Sequence, residues 1–272
     1  MNTESEQSLT GSTIVAPGAQ EFFLSGGPVG VLVIHGYGGS IGDYRKFGEA
    51  LRQRGYTVLG MRLTGHGQSL AALRATTSVD WQASVMAAAR RLRETCRDII
   101  VIGSSFGGAL ALNYARQAPD HLRAVVVVNP AVRYRAGGKV QTLALKLLRL
   151  FTKDYRKPGI STAETARYRQ LGSMTHWPID GIFETYRYIQ RMVLPHLGKI
   201  LTPTLVMAID DDPIVHSDSA RIIHDLIGAA KKKLVWLPGK THRPFRDDHL
   251  VDVMVQEIET FLDSLPSVNS QG

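Results

Sequence analysis

Two adjacent serines stand where an apolar run gives way to a glycine-rich, helix-like one: VIGSSFGGALALNYA, beginning at Val101. Only the frame centred on Ser105 reads Gly-x-Ser-x-Gly, with Gly103 and Gly107 on either side and Ser104 in the variable slot. A serine hydroxyl becomes a nucleophile when a sharp strand-to-helix turn exposes it and a nearby base takes its proton. Glycines suit such a turn because a Cβ beside the serine would crowd it. The first amides of the following helix then favour negative charge near the Ser105 side chain. Ser105 is the expected nucleophile, and the strand before it and helix after it make the short motif specific.

Attack on an acyl carbonyl puts negative charge on its oxygen, which two preorganised N–H groups must receive. An earlier buried-strand pattern, VLVIHGYGGS, ends in His35-Gly36-Tyr37-Gly38-Gly39, a loop of the kind that supplies one of them. The expected donors are the backbone amides of Tyr37 and of Phe106, the residue after the nucleophile. A base and an orienting carboxylate come late in the chain. PTLVMAIDDDPIV carries Asp210, Asp211 and Asp212 out of a strand, and LVWLPGKTHRPF carries His242 out of the next. Serine, aspartate, histidine is a known chain order for this chemistry, but the residues alone leave the choice among the three aspartates open. His66, in GHGQS, reads as a residue that structures a loop. His121, His176, His196 and His224 read as surface or core, with His216 and His249 as weaker alternatives for the base.

These groups need a scaffold that brings distant segments to one edge. Valine- and isoleucine-rich runs alternate with helix-like stretches, the pattern of βαβ units and a mostly parallel sheet covered on both faces. Strands are predicted at VGVLVIHG, YTVLGMRL, DIIVIGS, AVVVVNP, PTLVMAI and KLVWLPG, and helices around 44–54, 79–95, 106–118, 219–227 and 250–265. Between Asn129 and Pro203 no central strand is evident. A gap that long predicts a helical insertion, so the expected organisation is a core of 1–130 and 196–272 with a lid insertion at 131–195. In the lid, Leu143, Leu147, Leu150 and Phe151 fall at helical spacing and are expected to form an apolar wall for an acyl chain. Lys139, Lys146, Arg149, Lys153, Arg156 and Lys157 are expected to form a solvated basic face, with contact to an anionic acyl carrier or lipid headgroup as the alternative.

Composition narrows the class further. Hydrophobic residues are 44% and charged residues 21%, ordinary globular usage that argues against a disordered or fibrous chain. No run approaches the length of a membrane span, and the polar first residues show no secretory signal. The one cysteine, Cys96, cannot pair within the chain, and no Cys/His cluster has zinc spacing. A cytoplasmic protein without metal or cofactor is expected, of undetermined oligomeric state and without stable membrane insertion. The net charge of +8 is spread over helices where acids interleave, which reads as solvated faces and not as a nucleic-acid surface.

Taken together, GGPVGVLVIHGYGGS, RGYTVLGMRLTGHGQS, GSSFGGALALNYA, NPAV, TPTLV with DDPIV, and THRPF resemble the α/β-hydrolases of the small bacterial carboxylesterase and monoacylglycerol lipase type, over roughly Gly26 to Asp263. The resemblance implies an α/β-hydrolase fold, a mostly parallel sheet flanked by helices with a small helical lid insertion. It selects Asp212 as the acid, since the family places that residue directly before an x-Ile-Val element, and it sets His242 at the catalytic histidine position. It implies a serine hydrolase acting on short or medium acyl esters or monoacylglycerols. A thioesterase or acyltransferase on the same triad, or a silent binding protein, remains as an alternative. Two departures stand out: Phe106 where the family commonly has methionine, and the highly charged RPFRDD after His242.

Overall fold

Residues 14–117, 119–135, 139–157 and 162–266 are described in the computed structural model of the chain. A short edge strand, β1 (Phe22–Leu24), precedes β2 (Val29–Ile34), α1 (Arg45–Gln53), β3 (Thr57–Met61), the short α2 (Leu70–Arg74) and α3 (Ser78–Arg93). Then come β4 (Asp98–Ser104), α4 (Phe106–Ala115) and β5 (Leu122–Val128). The chain next forms α5 (Lys139–Leu148), β6 (Asp154–Arg156), α6 (Thr162–Gln170), β7 (His176–Pro178) and α7 (Ile179–Tyr188). It closes with β8 (Thr204–Ile209), α8 (Asp218–Leu226), β9 (Lys232–Leu237) and α9 (Asp248–Asp263).

Seven of these strands make one sheet in the order β1-β3-β2-β4-β5-β8-β9. All its pairs are parallel except β1 with β3. The six strands expected from sequence are all present. β1 was not foreseen, because three residues on a sheet edge are too few to show a period. In β2, Val31 and Val33 face Phe47 and Leu51 of α1 and Met254 and Ile258 of α9. Leu32 and Ile34 face Trp81 and Val85 of α3 and Leu110 of α4. Side chains alternate between faces and both faces are covered, which is why the strands read as unbroken apolar runs. All ten residues of α4 are buried, so that helix is apolar nearly all round, with Asn113 as its one buried amide side chain. A parallel sheet gathers the C-terminal ends of its strands along one edge, and the loops there carry functional groups.

Between β5 and β8 the expected wholly helical segment differs in three respects. It contains a small antiparallel ribbon, with Asp154, Tyr155 and Arg156 of β6 opposite Pro178, Trp177 and His176 of β7. Its apolar stripe is turned outward, with Leu143 58%, Leu147 54%, Leu150 76% and Phe151 87% exposed, so none of the four forms an enclosed wall. Its basic face is also divided: Lys146, Arg149, Lys153 and Arg156 are exposed, whereas Lys157 is buried. The Lys139 side chain lies outside the described residues. Among the described residues no helix is long and apolar enough to cross a membrane.

Candidate active site

The turn between β4 and α4 sets Ser105 at φ 54°, ψ −121°. That is a sparsely populated region for a residue with a Cβ, and it persists only where the surroundings fix it. Here they do: Ser105 N–H donates to Val128 O at 3.0 Å, and Ser105 O accepts from Gly108 N–H at 3.1 Å. A Cβ on Gly103 would come within 2.2 Å of Gly107 O, and one on Gly107 within 2.5 Å of Ile34 O. Both glycines are required by close backbone approach. The two serines part company at this corner. Ser104 is buried beside the Tyr44 hydroxyl, whereas Ser105 is half-buried and meets the glycine loop, where a Cβ on Gly36 would sit 3.5 Å from Ser105 Oγ.

The loop after β2 is pinned from beneath by His35. Its Nε2 accepts from Leu63 N–H at 3.2 Å, so the ring proton sits on Nδ1 and is donated to Gly36 O at 2.9 Å. This is a neutral imidazole, and burial brings it down to about 4. The neighbouring His66, with ring centroids 5.0 Å apart, is likewise held well below the usual range by burial and then by His35. Neither the Tyr37 nor the Phe106 amide donates a hydrogen bond among the described residues.

At the far end of the sheet Asp212 is fully buried. Its Oδ1 accepts from Ile214 N–H at 2.7 Å and Val215 N–H at 3.0 Å. Its Oδ2 lies 2.6 Å from His242 Nδ1. A carboxylate only accepts, so Nδ1 donates and Nε2 is left as the basic nitrogen. Asp210 and Asp211 are exposed, and Asp211 pairs with Lys240 at 3.3 Å. Thus Asp212 and His242 are brought together and the other two aspartates are not. No hydrogen bond joins Ser105 Oγ to the His242 ring among the described contacts, and such bonds commonly tighten only when substrate binds.

Two positioning groups escaped the sequence reading. Asn129, at φ 44° after β5, accepts from Ile209 N–H at 2.9 Å and donates to Thr241 O at 3.4 Å. It thereby ties the strand end before Asp212 to the residue before His242. An asparagine directly before Pro130 was the available signal, since asparagine tolerates positive φ. Arg135 donates through Nε to Asp212 O and through Nη2 to Asp210 O at 2.8 Å. Nothing in the sequence separated it from other surface arginines.

The flanks of the glycine loop differ. On one, the Phe106 ring is enclosed by Trp81, Tyr188 and Tyr37 with centroids at 5.4, 5.6 and 6.4 Å. Phe106 is therefore part of a buried aromatic wall. Behind Tyr188 opens a cleft of about 370 Å³ that also involves Ser78, Glu184, Arg187, Arg191 and Met192. On the other flank, Lys157 Nζ donates to Gly38 O at 2.8 Å and lies 4.8 Å from the Trp177 ring centroid. Arg243 stacks over Tyr168 at 4.3 Å, and Arg246 grips Asp43 with two bonds of 2.8 and 2.9 Å. RPFRDD thus contributes two arginines to the site's border, and Asp247 caps α9 by accepting from Leu250 N–H at 3.1 Å. Among the described residues no cluster of three or more His, Cys, Asp or Glu could hold a metal ion.

Residues 29–249 match the family model Hydrolase_4, serine aminopeptidase S33. The chain is 30% identical over 250 residues to a thermostable monoacylglycerol lipase of Bacillus sp. (strain H-257), covering 91% of this chain and 96% of that one. It is 25% identical over 254 residues to a carboxylesterase of Bacillus subtilis (strain 168), covering 93% and 98%. A solved structure from work on the metagenome-derived lipolytic enzymes LipS and LipT is similar at a TM-score of 0.79 and 26% identity, over 93% of this chain and all of that one (100%). With the fold, the elbow and these matches together, the chain belongs to the Hydrolase_4 family and is an α/β-hydrolase of the esterase and monoacylglycerol lipase type.

Proposed function

We propose that this carboxylic ester hydrolase works through an acyl-enzyme on Ser105, with short or medium acyl esters or monoacylglycerols as its substrate class. Ser105 Oγ attacks the carbonyl carbon while His242 Nε2 takes its proton. The carbonyl oxygen becomes an oxyanion facing the Tyr37 and Phe106 amides. The intermediate collapses, the proton on His242 passes to the leaving alcohol, and a water activated by the same nitrogen then frees the acid. Asp212 holds the imidazole in the required tautomer and stabilises its charged form. No metal or organic cofactor enters the scheme. Segment 131–195 acts as a lid beside the strand ends, and the lone buried Cys96 supports a reducing, cytoplasmic setting.

The observation that carries this reading is the pairing of a buried, amide-held Asp212 with His242 beside an elbow that strains Ser105. A fluorophosphonate probe tests it. Wild-type protein should label stoichiometrically, and Ser105→Ala should lose labelling and turnover while keeping its thermal transition. Ser104→Ala should label normally. Labelling that survives in the Ser105→Ala protein would sink the assignment.

A further inference from the structure

Lysine is almost never fully buried without a partner, because its long stem lets the ammonium reach water. Lys157 is 5% exposed, and among the described residues its one hydrogen-bond acceptor is Gly38 O. No carboxylate among them lies at ion-pair distance. Arg243, one residue after His242, makes no side-chain hydrogen bond or ion pair among the described residues and rests on the Tyr168 ring. The charged groups facing these two are Arg246, Asp43 and the exposed Glu164. Asp43 is already engaged by Arg246. Among the described residues, Lys157, Arg243 and Arg246 thus have two facing carboxylates between them, and Glu164 is at the surface.

A third donor lies beside Lys157. Trp177 Nε1 is buried with no partner, and it lies against Gly38, where an added Cβ would fall 2.3 Å from Nε1 and 3.5 Å from Lys157 Nζ. Buried cations and orphan N–H groups each cost free energy that an arriving anion would recover. We propose that Lys157, Arg243 and the Trp177 indole N–H form a subsite for a carboxylate or phosphate carried by the ester substrate, held beside Gly38 and next to the loop that receives the reacting oxygen. This rests on the acyl-enzyme reading above and narrows its substrate class to anionic esters. Burial, followed by the charge of Arg243, holds the Lys157 amine well below its ordinary range. A bound anion restores the ammonium, so substrate binding and proton uptake at Lys157 are coupled.

The test uses two matched pairs: p-nitrophenyl butyrate against p-nitrophenyl hemisuccinate, and a 1-acylglycerol against its 3-phosphate with the same acyl chain. Charge-assisted hydrogen bonds predict that wild-type kcat/KM favours at least one anionic member by about 10- to 100-fold. The hemisuccinate responding places the anion on the acyl side, and the phosphate responding places it on the alcohol side. In Lys157→Met and in Arg243→Gln that preference should fall about tenfold, and Arg243→Lys should restore part of it. Calorimetric binding of both glycerol esters to Ser105→Ala protein reads the same preference without turnover. A wild-type enzyme indifferent to the anionic group, or a preference that survives both Lys157→Met and Arg243→Gln, would overturn the subsite. Loss of all hydrolysis with the binding preference intact would instead break the acyl-enzyme reading alone.

Discussion

The loop from His35 to Gly39 divides two environments built from opposite materials. On the His66 side, Phe106 packs edge to face with Tyr37, Trp81 and Tyr188, Tyr37 is tilted against Trp81, and the two histidines among them are neutral. On the Lys157 side, one aromatic ring, Tyr168, has Arg243 at 4.3 Å, Lys157 at 5.1 Å and Arg246 at 5.4 Å around it. The first side gains from burying apolar area and excludes charge. The second holds charge where little water reaches. Stability is concentrated on one flank, and on the other a cost of folding is retained that only a ligand can offset. The Tyr37 and Phe106 amides, proposed above to receive the oxyanion, would act in a medium where fixed dipoles are strong.

The largest effect expected is one that ignores this division. Asp212→Asn should lower kcat about 10⁴-fold, because an amide favours the wrong tautomer of the imidazole. The loss should be the same for neutral and anionic esters, since His242 serves both flanks. Asp210→Asn and Asp211→Asn, altering exposed side chains, should stay within a few-fold. Steady-state kinetics on the three variants decide it, and a comparable loss in all three would dissolve the special place of Asp212.

Acid and alkali should separate the flanks. Burial brings His35 from 6.5 to about 4, so between those values the unfolded chain holds a proton that the folded chain refuses. Stability therefore falls as pH drops through that window, by up to about 3 kcal/mol for His35 alone, and His66 adds in the same direction. Lys157 follows the same rule in another window. Its lowered folded value means that stability climbs as pH rises toward about 10, where a free lysine loses its proton. Urea midpoints across pH should show both slopes, with His66→Phe reducing only the acid one and Lys157→Met only the alkaline one. A flat alkaline limb in the wild type would make the cationic flank an ordinary solvated patch.

How legible this was depends on the range of the signal. The elbow, the six long strands and the loop of Tyr37 were legible because the turn demands glycines at fixed offsets and the sheet demands buried runs. Asp212 needed more than spacing, since three adjacent aspartates are equivalent until backbone folding buries one against His242. The cationic flank was hidden for a different reason. Arg243 is distant in sequence from Tyr168 and Trp177, and Lys157 looked like its solvated neighbours until β6 and β7 paired and carried it inward. The outward turn of Leu143 and Leu147 was equally invisible, because a helical stripe states which residues share a face and not what covers that face.

That last point yields the smallest effect and the finest test. If acyl length is read on the aromatic flank, the reading group is Tyr188, whose ring stands between Phe106 and the cleft of about 370 Å³. Tyr188→Ala should join that cleft to the space beside the Tyr37 and Phe106 amides and move the preferred acyl chain longer. Each added methylene in such a pocket is worth roughly 1–3 kcal/mol, so the kcat/KM profile across p-nitrophenyl acetate to decanoate should shift visibly. Leu147→Ala removes side-chain atoms that already face solvent and should change stability by less than about 0.5 kcal/mol, with the profile unmoved. A profile that shifts with Leu147→Ala and not with Tyr188→Ala would mean that α5 turns inward during catalysis. The acyl wall would then belong to segment 131–195 and not to the aromatic flank.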